Sequence, residues 1–329
     1  TRQDISTNSV EWFAQPTNGI SYFTAYIPTT GLEPHLLPFL PLYCSLATQI
    51  GAAGKSYTEM AEQVEAHTGG IHLNSEILDD PDKTDRFEAV VSVRGKALNH
   101  KQGELFGIIG DYLTAPDFSD VIRIRTVLMQ LQTSFENAIS GSGHLYAARA
   151  GAASLSNAAK LREQWAGISL LHLLRKLTAM NDNELLEETQ KFAKISEFLI
   201  VRNKFACAVT GEKQIFAATE KSLTRFLERL PTGVKKTDQK DDENAPKPGS
   251  FGWTTSVPVS YVTRTFKTVP FSHPDSAALL VLAKLLRSGY LHREIREKGG
   301  AYGGLASCNV EGGLFSLLSY RDPHILRTL

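Results

Sequence analysis

The sequence contains few cysteines. Cys44, Cys207 and Cys308 are its only three in 329 residues, and no CxxC pair is present. Cysteines so far apart cannot form a disulfide framework, and this usage is typical of proteins from a reducing compartment. The absence of a CxxC pair also excludes a cysteine-based zinc site.

The sequence has no excess of charge of either sign. Its 35 Lys and Arg residues balance 35 Asp and Glu residues. Proteins that bind nucleic acids normally carry a basic excess, because they must neutralise phosphate groups. We therefore expect no nucleic-acid partner. A hydrophobic content of 42% is enough for a folded core and excludes a charge-dominated disordered chain.

Long apolar runs are scarce. Residues 35–54 contain no Asp, Glu, Lys or Arg, and this stretch has the length of a membrane-spanning helix. However, Pro38 and Pro41 interrupt it, and polar side chains lower its hydrophobicity. The stretch therefore predicts a buried helix at 39–50, and we expect no membrane partner.

The sequence also lacks the usual spacings of catalytic and metal-binding residues. None of its nine histidines has another histidine four residues later, so neither HExxH nor HxxEH is present. Ser142 lacks the GxSxG turn of a nucleophilic serine and is more simply a helix N-cap. Cys207 lies in an apolar run typical of a buried strand. We expect no catalytic residue and no metal site in this chain.

The order of predicted elements favours an α+β fold, with helices packed on a mixed β-sheet. Alternating residues predict strands at 71–78 and 86–94, joined by a charged turn at 79–85. Ser56 and Glu59 have the spacing of a capping box at the start of an amphipathic helix. Further strands are predicted at 19–27, 205–211, 257–266, 305–310 and 314–320. Further helices are predicted between 98 and 199 and at 213–230, 277–288 and 290–297.

The stretch 231–250 marks the best domain boundary. Val234 is its only aliphatic residue apart from alanine and proline. Such a segment cannot bury enough surface to offset the entropy of ordering it. We predict one domain at 1–231, a flexible linker at 232–250 and a second domain at 251–329. The second repeats the strand–helix–strand–strand order of the first, which indicates an internal duplication.

A glycine-rich run at 299–304 follows the predicted helix 290–297. Phosphate-binding glycine loops lie instead between a strand and a helix N-terminus, so a phosphate site is not favoured. Termination of the helix explains the glycines simply. Alternatively, the flanking Arg296 and Tyr302 could bind peptide carbonyls or a carboxylate beside the bare glycine backbone. Both explanations remain open at this point.

Residues 291–304, Leu-His-Arg-Glu-Ile-Arg-Glu-Lys-Gly-Gly-Ala-Tyr-Gly-Gly, resemble the pitrilysin family of zinc metallopeptidases, and within it the presequence protease branch. Residues 14–23, 142–147 and 319–323 also resemble that branch, so the similarity covers nearly the whole chain in order. Such enzymes have four related α/β domains, arranged as two halves that close around a chamber. The resemblance implies metallopeptidase-like α/β domains for this chain.

The resemblance further implies that this chain is part of the C-terminal half of a longer polypeptide. Residues 1–231 would be a degenerate copy of the catalytic domain, and 251–329 a truncated fourth domain. The family's HxxEH motif lies in the N-terminal half. Its counterpart here is Leu42-Tyr43-Cys44-Ser45-Leu46, with leucines in place of both zinc-binding histidines and Ser45 in place of the catalytic glutamate. Zinc is therefore expected in the N-terminal half of the full-length protein and not in this fragment.

The function implied by the resemblance is degradation of cleaved presequences and other short unstructured peptides, in the mitochondrial matrix or in plastids. In this family an Arg and a Tyr of the fourth domain contact the substrate backbone, and the matching positions here are Arg296 and Tyr302. Gly299 and Gly300 lie between them and complete the expected substrate-binding set. The alternatives are a non-catalytic core-type scaffold subunit and a free-standing peptide-binding relative.

Overall fold

The computed structural model describes residues 2–5, 8–233, 248–255 and 257–329. The chain divides into two compact units, each built from several segments. The first unit comprises Thr1–Glu76, Ala89–Met129 and Leu177–Gln239. The second comprises Ile77–Glu88, Gln130–Lys176 and Lys240–Leu329. Most of the predicted linker, at 234–247, lies outside the described residues, so the predicted domain boundaries stay predictions.

The strands form two sheets. They are Arg2–Ile5 (β1), Asn8–Ala14 (β2), Ile20–Pro28 (β3), Ile71–Asp80 (β4), Lys83–Leu98 (β5), Ala206–Gly211 (β6), Thr263–Lys267 (β7), Gly303–Asn309 (β8) and Leu314–Tyr320 (β9). Six strands form a sheet in the order β1-β2-β6-β3-β5-β4, and three form a second sheet in the order β7-β9-β8. The larger sheet is mixed, because β2 is parallel to β6 whereas β3 is antiparallel to β5 and β6.

The α-helices differ in length and in burial. They are Leu40–Ala47 (α1), Tyr57–His67 (α2), Gln102–Thr114 (α3), Val121–Ala153 (α4), Asn157–Ala166 (α5), Ile168–Thr178 (α6), Asp182–Leu199 (α7), Phe216–Arg229 (α8) and Ser276–Leu286 (α9). In the first unit, the ring of Phe23 on β3 lies 5.0 Å from Phe106 on α3 and 6.2 Å from Phe226 on α8. Helices thus pack on the mixed sheet, and the predicted α+β class is confirmed.

The capping box at the start of α2 is present. The Ser56 side chain accepts a hydrogen bond from the Glu59 backbone N–H, and the Glu59 carboxylate accepts one from the Ser56 N–H at 2.8 Å. These contacts satisfy backbone donors that the first turn of a helix leaves free. The predicted helix therefore begins where its sequence signal lies.

The predicted charged turn at 79–85 is wrong in its extent. β4 runs to Asp80 and β5 begins at Lys83, so most of the acidic run lies in strands. Asp79 can lie in a strand because its charge is paired. In the second unit it is nearly buried, and its carboxylate lies 2.5 Å from the guanidinium of Arg162. This pairing compensates a charge that would otherwise favour solvent.

The first two strands are missing from the sequence-based prediction. β1 has four residues, and in β2 the buried alternation consists of the polar Asn8 and only two apolar residues, Val10 and Trp12. The side-chain amide of Asn8 donates a hydrogen bond to the carbonyl of Phe205 at 2.9 Å and so ties the start of β2 to the start of β6. A contact between residues so distant in sequence leaves no trace in the local sequence pattern, so it could not be predicted.

One helix boundary and one strand boundary in the second unit also differ from the prediction. The predicted helix 290–297 is not separate, because a π-helical segment, Arg287–Glu297, continues directly from α9. β7 begins at Thr263, several residues later than the predicted 257. Among the described residues, no helix has the length and apolarity needed to cross a bilayer.

Candidate substrate-contact site

The glycines at 299 and 300 terminate the π-helical segment. The N–H of Gly300 donates to the carbonyl of Arg296, and the N–H of Ala301 donates to that of Ile295, both at 3.1 Å. Gly300 has a φ of +80°, a left-handed conformation that favours glycine. These glycines therefore end a helix, and their expected part in substrate binding stays a prediction.

This helix end brings Arg296 and Tyr302 together. The guanidinium carbon of Arg296 lies 5.3 Å from the centroid of the Tyr302 ring, within the range of a cation–π contact. Both side chains are exposed, Tyr302 to 63%. The two predicted substrate-binding side chains thus form one surface feature, which we call the substrate-contact pair.

Several neighbouring polar residues at this end of the segment are already paired. Arg293 lies 3.0 Å from Glu294, Lys298 lies 2.9 Å from the same carboxylate, and His292 lies 3.2 Å from Glu297. The two cations lower the pKa of Glu294 through hydrogen bonds. Within the part of the chain that the structure describes, neither the Arg296 guanidinium nor the Tyr302 hydroxyl makes a hydrogen bond. The pair therefore offers open donors to a ligand that carries carbonyl or carboxylate oxygens.

Tyr320, the last residue of β9, and Arg321, the residue after it, both contact Tyr302. The N–H of Tyr302 donates to the carbonyl of Arg321 at 3.2 Å, and the Tyr302 and Tyr320 rings lie edge-on, 5.7 Å apart. Arg321 itself has a φ of +49°, which is uncommon for a residue other than glycine. These contacts bring residues 319–323 next to the substrate-contact pair.

A kink in α4 completes the surroundings of the site. Ser142 has φ −133° and ψ 33°, which are not helical, yet the helix continues on both sides. The predicted break at 141–143 is present as a kink at which two helices meet, and the interpretation of Ser142 as a helix N-cap stays a prediction. The hydroxyl of Tyr261 donates to the carbonyl of Ser140 at 2.9 Å, and that of Tyr320 donates to the carbonyl of Gly141 at 3.1 Å.

His144 lies just after the kink and packs on both tyrosines. Its ring is 4.8 Å from that of Tyr320 and 6.4 Å from that of Tyr261. Partial burial lowers its pKa, and its Nδ1 has no hydrogen-bond partner among the described residues. We call His144, Tyr261 and Tyr320 the kink cluster. Sequence reasoning singled out the segments 142–147 and 319–323 but assigned these side chains no role.

The segment 42–46, which the resemblance places at the family's zinc motif, lies in the core of the first unit. Leu42 and Leu46 on α1 are 1% and 0% exposed, and burial raises the pKa of both Tyr43 and Cys44. The hydroxyl of Ser45 donates to the carbonyl of Pro41 on its own helix. These side chains do not fit a zinc ion, since they offer no set of imidazole or carboxylate ligands. Over the described ranges, no group of three His, Cys, Asp or Glu side chains could bind a metal.

Cys207 is also unsuited to chemistry. It is buried in β6, and desolvation raises the pKa of its thiol to about 12. The thiolate, which is the reactive form, is therefore not populated near neutral pH.

Comparison with models of known protein families identifies the family of this chain. The family model for the domain associated with M16 peptidases of subfamily C matches residues 1–177, more than half of the chain. This chain belongs to the M16, or pitrilysin, family of peptidases. A second model, "PreP C-terminal domain", matches residues 256–329, which include the substrate-contact pair, Tyr261 and Tyr320. The resemblance to the presequence protease branch is confirmed.

Relatives in the M16 family cover nearly all of the chain. It is 30% identical over 97% of its length to the mitochondrial presequence protease of Xenopus tropicalis, and 33% identical over 95% to that of Kluyveromyces lactis. It spans about a third of the length of these curated relatives, 34% and 33% respectively. Among solved structures, an M16 peptidase inactive domain from Pseudomonas fluorescens shares its fold, with a TM-score of 0.55 and 14% identity over 97% of this chain and 74% of that one.

Proposed function

We propose that this chain is the non-catalytic, substrate-holding part of a zinc-dependent endopeptidase that degrades short unstructured peptides, including cleaved presequences. The proposal is supported by membership of the M16 family and by relatives named mitochondrial presequence proteases. The observation that carries it is the substrate-contact pair, an exposed Arg and Tyr at a helix end with open hydrogen-bond donors.

The substrate-contact pair suits an extended peptide. Peptide carbonyls are acceptors that recur along any unstructured chain, and Arg296 offers up to five N–H donors in a fixed plane. Tyr302 adds one hydroxyl donor, and its ring holds the guanidinium through a cation–π contact. Such contacts bind and orient a backbone without reading its side chains. We infer a peptide site with weak sequence preference.

The catalytic zinc is assigned to a part of the full-length protein outside this chain. The support is that Leu42, Ser45 and Leu46, which the resemblance places at the motif's histidines and glutamate, are not zinc ligands and belong to a mostly buried helix. The partner of this chain would then be the N-terminal half of the same polypeptide, which supplies the metal site. The names of the relatives favour a mitochondrial location. Within mitochondria we propose the matrix, with plastids as the alternative location.

The proposal is tested by zinc content and peptide cleavage, measured on the full-length protein and on this chain separately. We expect about one tightly bound zinc and cleavage of short unstructured peptides for the full-length protein, and neither for the chain alone. A full-length protein without zinc and without hydrolysis would instead favour a scaffold subunit. Peptide hydrolysis by this chain alone would contradict the assignment of catalysis to the other half.

A further inference from the structure

Tyr320 occupies the centre of the contacts around the kink in α4. Its ring lies edge-on to His144, with centroids 4.8 Å apart, and edge-on to Tyr302, with centroids 5.7 Å apart. Its hydroxyl donates a hydrogen bond to the carbonyl of Gly141. One side chain thus joins the substrate-contact tyrosine to a helix that is remote from it in sequence.

The kink explains why α4 can accept this hydrogen bond. A residue with non-helical dihedral angles interrupts the ladder of helical hydrogen bonds and leaves nearby carbonyls in need of other donors. Ser142 is such a residue, and the carbonyls of the two residues before it accept hydroxyls from Tyr261 and Tyr320. The kink therefore supplies one fixed acceptor to each tyrosine.

Tyr302 needs such support because most of its side chain is exposed. An exposed ring samples several rotamers, and fixing it when a substrate binds costs conformational entropy. In the structure the Tyr302 ring is flanked by the guanidinium of Arg296 and by the ring of Tyr320. Arg296 is itself an exposed, flexible side chain, whereas Tyr320 is anchored through its hydroxyl.

We propose that Tyr320 is a positioning residue for Tyr302. Its hydrogen bond to the kink of α4 fixes the ring on which Tyr302 rests, and this places the Tyr302 side chain before substrate binds. The inference deepens the proposed function and depends on it for its kinetic consequence. Its structural consequence, an ordered Tyr302 ring, is independent of activity.

The structure supplies a matched control for the kinetic test. Tyr320→Phe keeps the ring and removes the hydrogen bond to Gly141, and Tyr261→Phe removes the same type of bond to the neighbouring carbonyl of Ser140. In the full-length protein, we expect Tyr320→Phe to lower kcat/KM about two- to tenfold, the kinetic equivalent of one neutral hydrogen bond. Each variant loses one hydrogen bond, so we expect Tyr320→Phe and Tyr261→Phe to lower the melting temperature by similar amounts. We expect Tyr261→Phe to leave kcat/KM unchanged.

A double-mutant cycle separates positioning from a general loss of stability. If Tyr320 acts through Tyr302, adding Tyr320→Phe to Tyr302→Phe causes no further loss of kcat/KM. Independent effects that multiply in the double variant would overturn the proposal. So would equal kinetic effects of Tyr320→Phe and Tyr261→Phe.

The order of the Tyr302 ring is measured directly by ¹⁹F NMR, with 3-fluorotyrosine placed at position 302 of the full-length protein. We expect Tyr320→Phe to move the resonance towards that of a freely rotating ring and Tyr261→Phe to leave it in place. An unchanged resonance in Tyr320→Phe would overturn the positioning role. If Tyr302→Phe cleaves peptides as the parent protein does, the proposed function of Tyr302 fails, while the resonance still decides whether Tyr320 positions it.

Discussion

Two segments of the molecule, one from β3 to β5 and the other from β7 to β9, share one topology but differ in what their side chains contact. In the first, the strands β3, β5 and β4 are adjacent in that order, and in the second β7, β9 and β8 follow the same order. In both, the strand after the helix is preceded by a Gly-Gly pair whose second glycine has a positive φ, +113° at Gly70 and +80° at Gly300. The topology supports the predicted duplication, and it does not by itself assign a function to either copy.

The difference between the copies lies in what their side chains contact. In the first copy, α1 is almost wholly buried, and Leu42 and Leu46, which the resemblance places at the zinc-ligand positions, pack in the core. In the second copy, Val281 and Leu285 on α9 are 69% and 64% exposed. Arg296 and Tyr302, which flank the Gly-Gly pair, are also exposed. The first copy thus buries the helix α1 in a core, whereas the second exposes the two side chains that we propose contact substrate.

The largest expected effect concerns stability and contrasts the two helices. Leu46→Ala removes a fully buried side chain from α1 and should lower the free energy of unfolding by about 2–5 kcal/mol. Leu285→Ala makes the same chemical change on exposed α9 and should stay within about 0.5 kcal/mol of the parent. Urea denaturation of both variants measures the difference. Similar losses in the two variants would contradict the contrast between the copies.

The next prediction concerns the contacts that hold the kink cluster. A Cβ added at Gly143 would overlap the Tyr261 ring, so Gly143→Ala should force that ring away and cost about 1–3 kcal/mol of stability. Gly141→Ala is the matched control, because nothing lies within 4 Å of a Cβ added there. We expect the control to be neutral or slightly stabilising. If both alanine variants have the melting temperature of the parent, the Tyr261 ring does not pack against the kink as described.

The smallest effect is a pH dependence that arises from His144. Desolvation lowers the pKa of this histidine in the folded chain, so the unfolded chain binds more protons between the folded value and about 6.5. Stability should therefore fall as the pH decreases through that window and level off above it. His144→Phe keeps an aromatic ring and removes the titration, so the variant should lose less stability between pH 7.5 and 5.5 than the parent. Equal pH slopes in urea melts of the two proteins would exclude this contribution.

Sequence reasoning succeeded where the signal is local. The capping box predicts the start of α2, and the break at Gly312 and Gly313 predicts a strand at 314–320, the bounds that β9 has in the structure. It failed where contacts join distant residues. β2 pairs with β6 almost two hundred residues later, and no periodicity links Tyr320 to Gly141. These pairings depend on tertiary packing, which outweighs local propensity.

The candidate site was only partly predictable for the same reason. Arg296 and Tyr302 could be named because they flank a conspicuous glycine run and match a family motif. The kink cluster could not be named, because its members come from three segments that only the fold brings together. The kink itself arises at a serine between two glycines, a pattern that resembles a helix break in sequence.

The central claim is that Arg296 contacts substrate from a chain that does no bond-breaking chemistry. It is tested most directly by kcat/KM and melting temperature for Arg296→Ala in the full-length protein. Arg293→Ala is the matched control, because Arg293 lies on the same segment and is already paired with Glu294. Loss of a charge-assisted hydrogen bond should lower kcat/KM about ten- to a hundredfold in Arg296→Ala, with melting temperature and zinc content unchanged. The control should stay close to the parent. Equal kcat/KM for the two variants, or a loss that merely follows a lower melting temperature, would contradict the account.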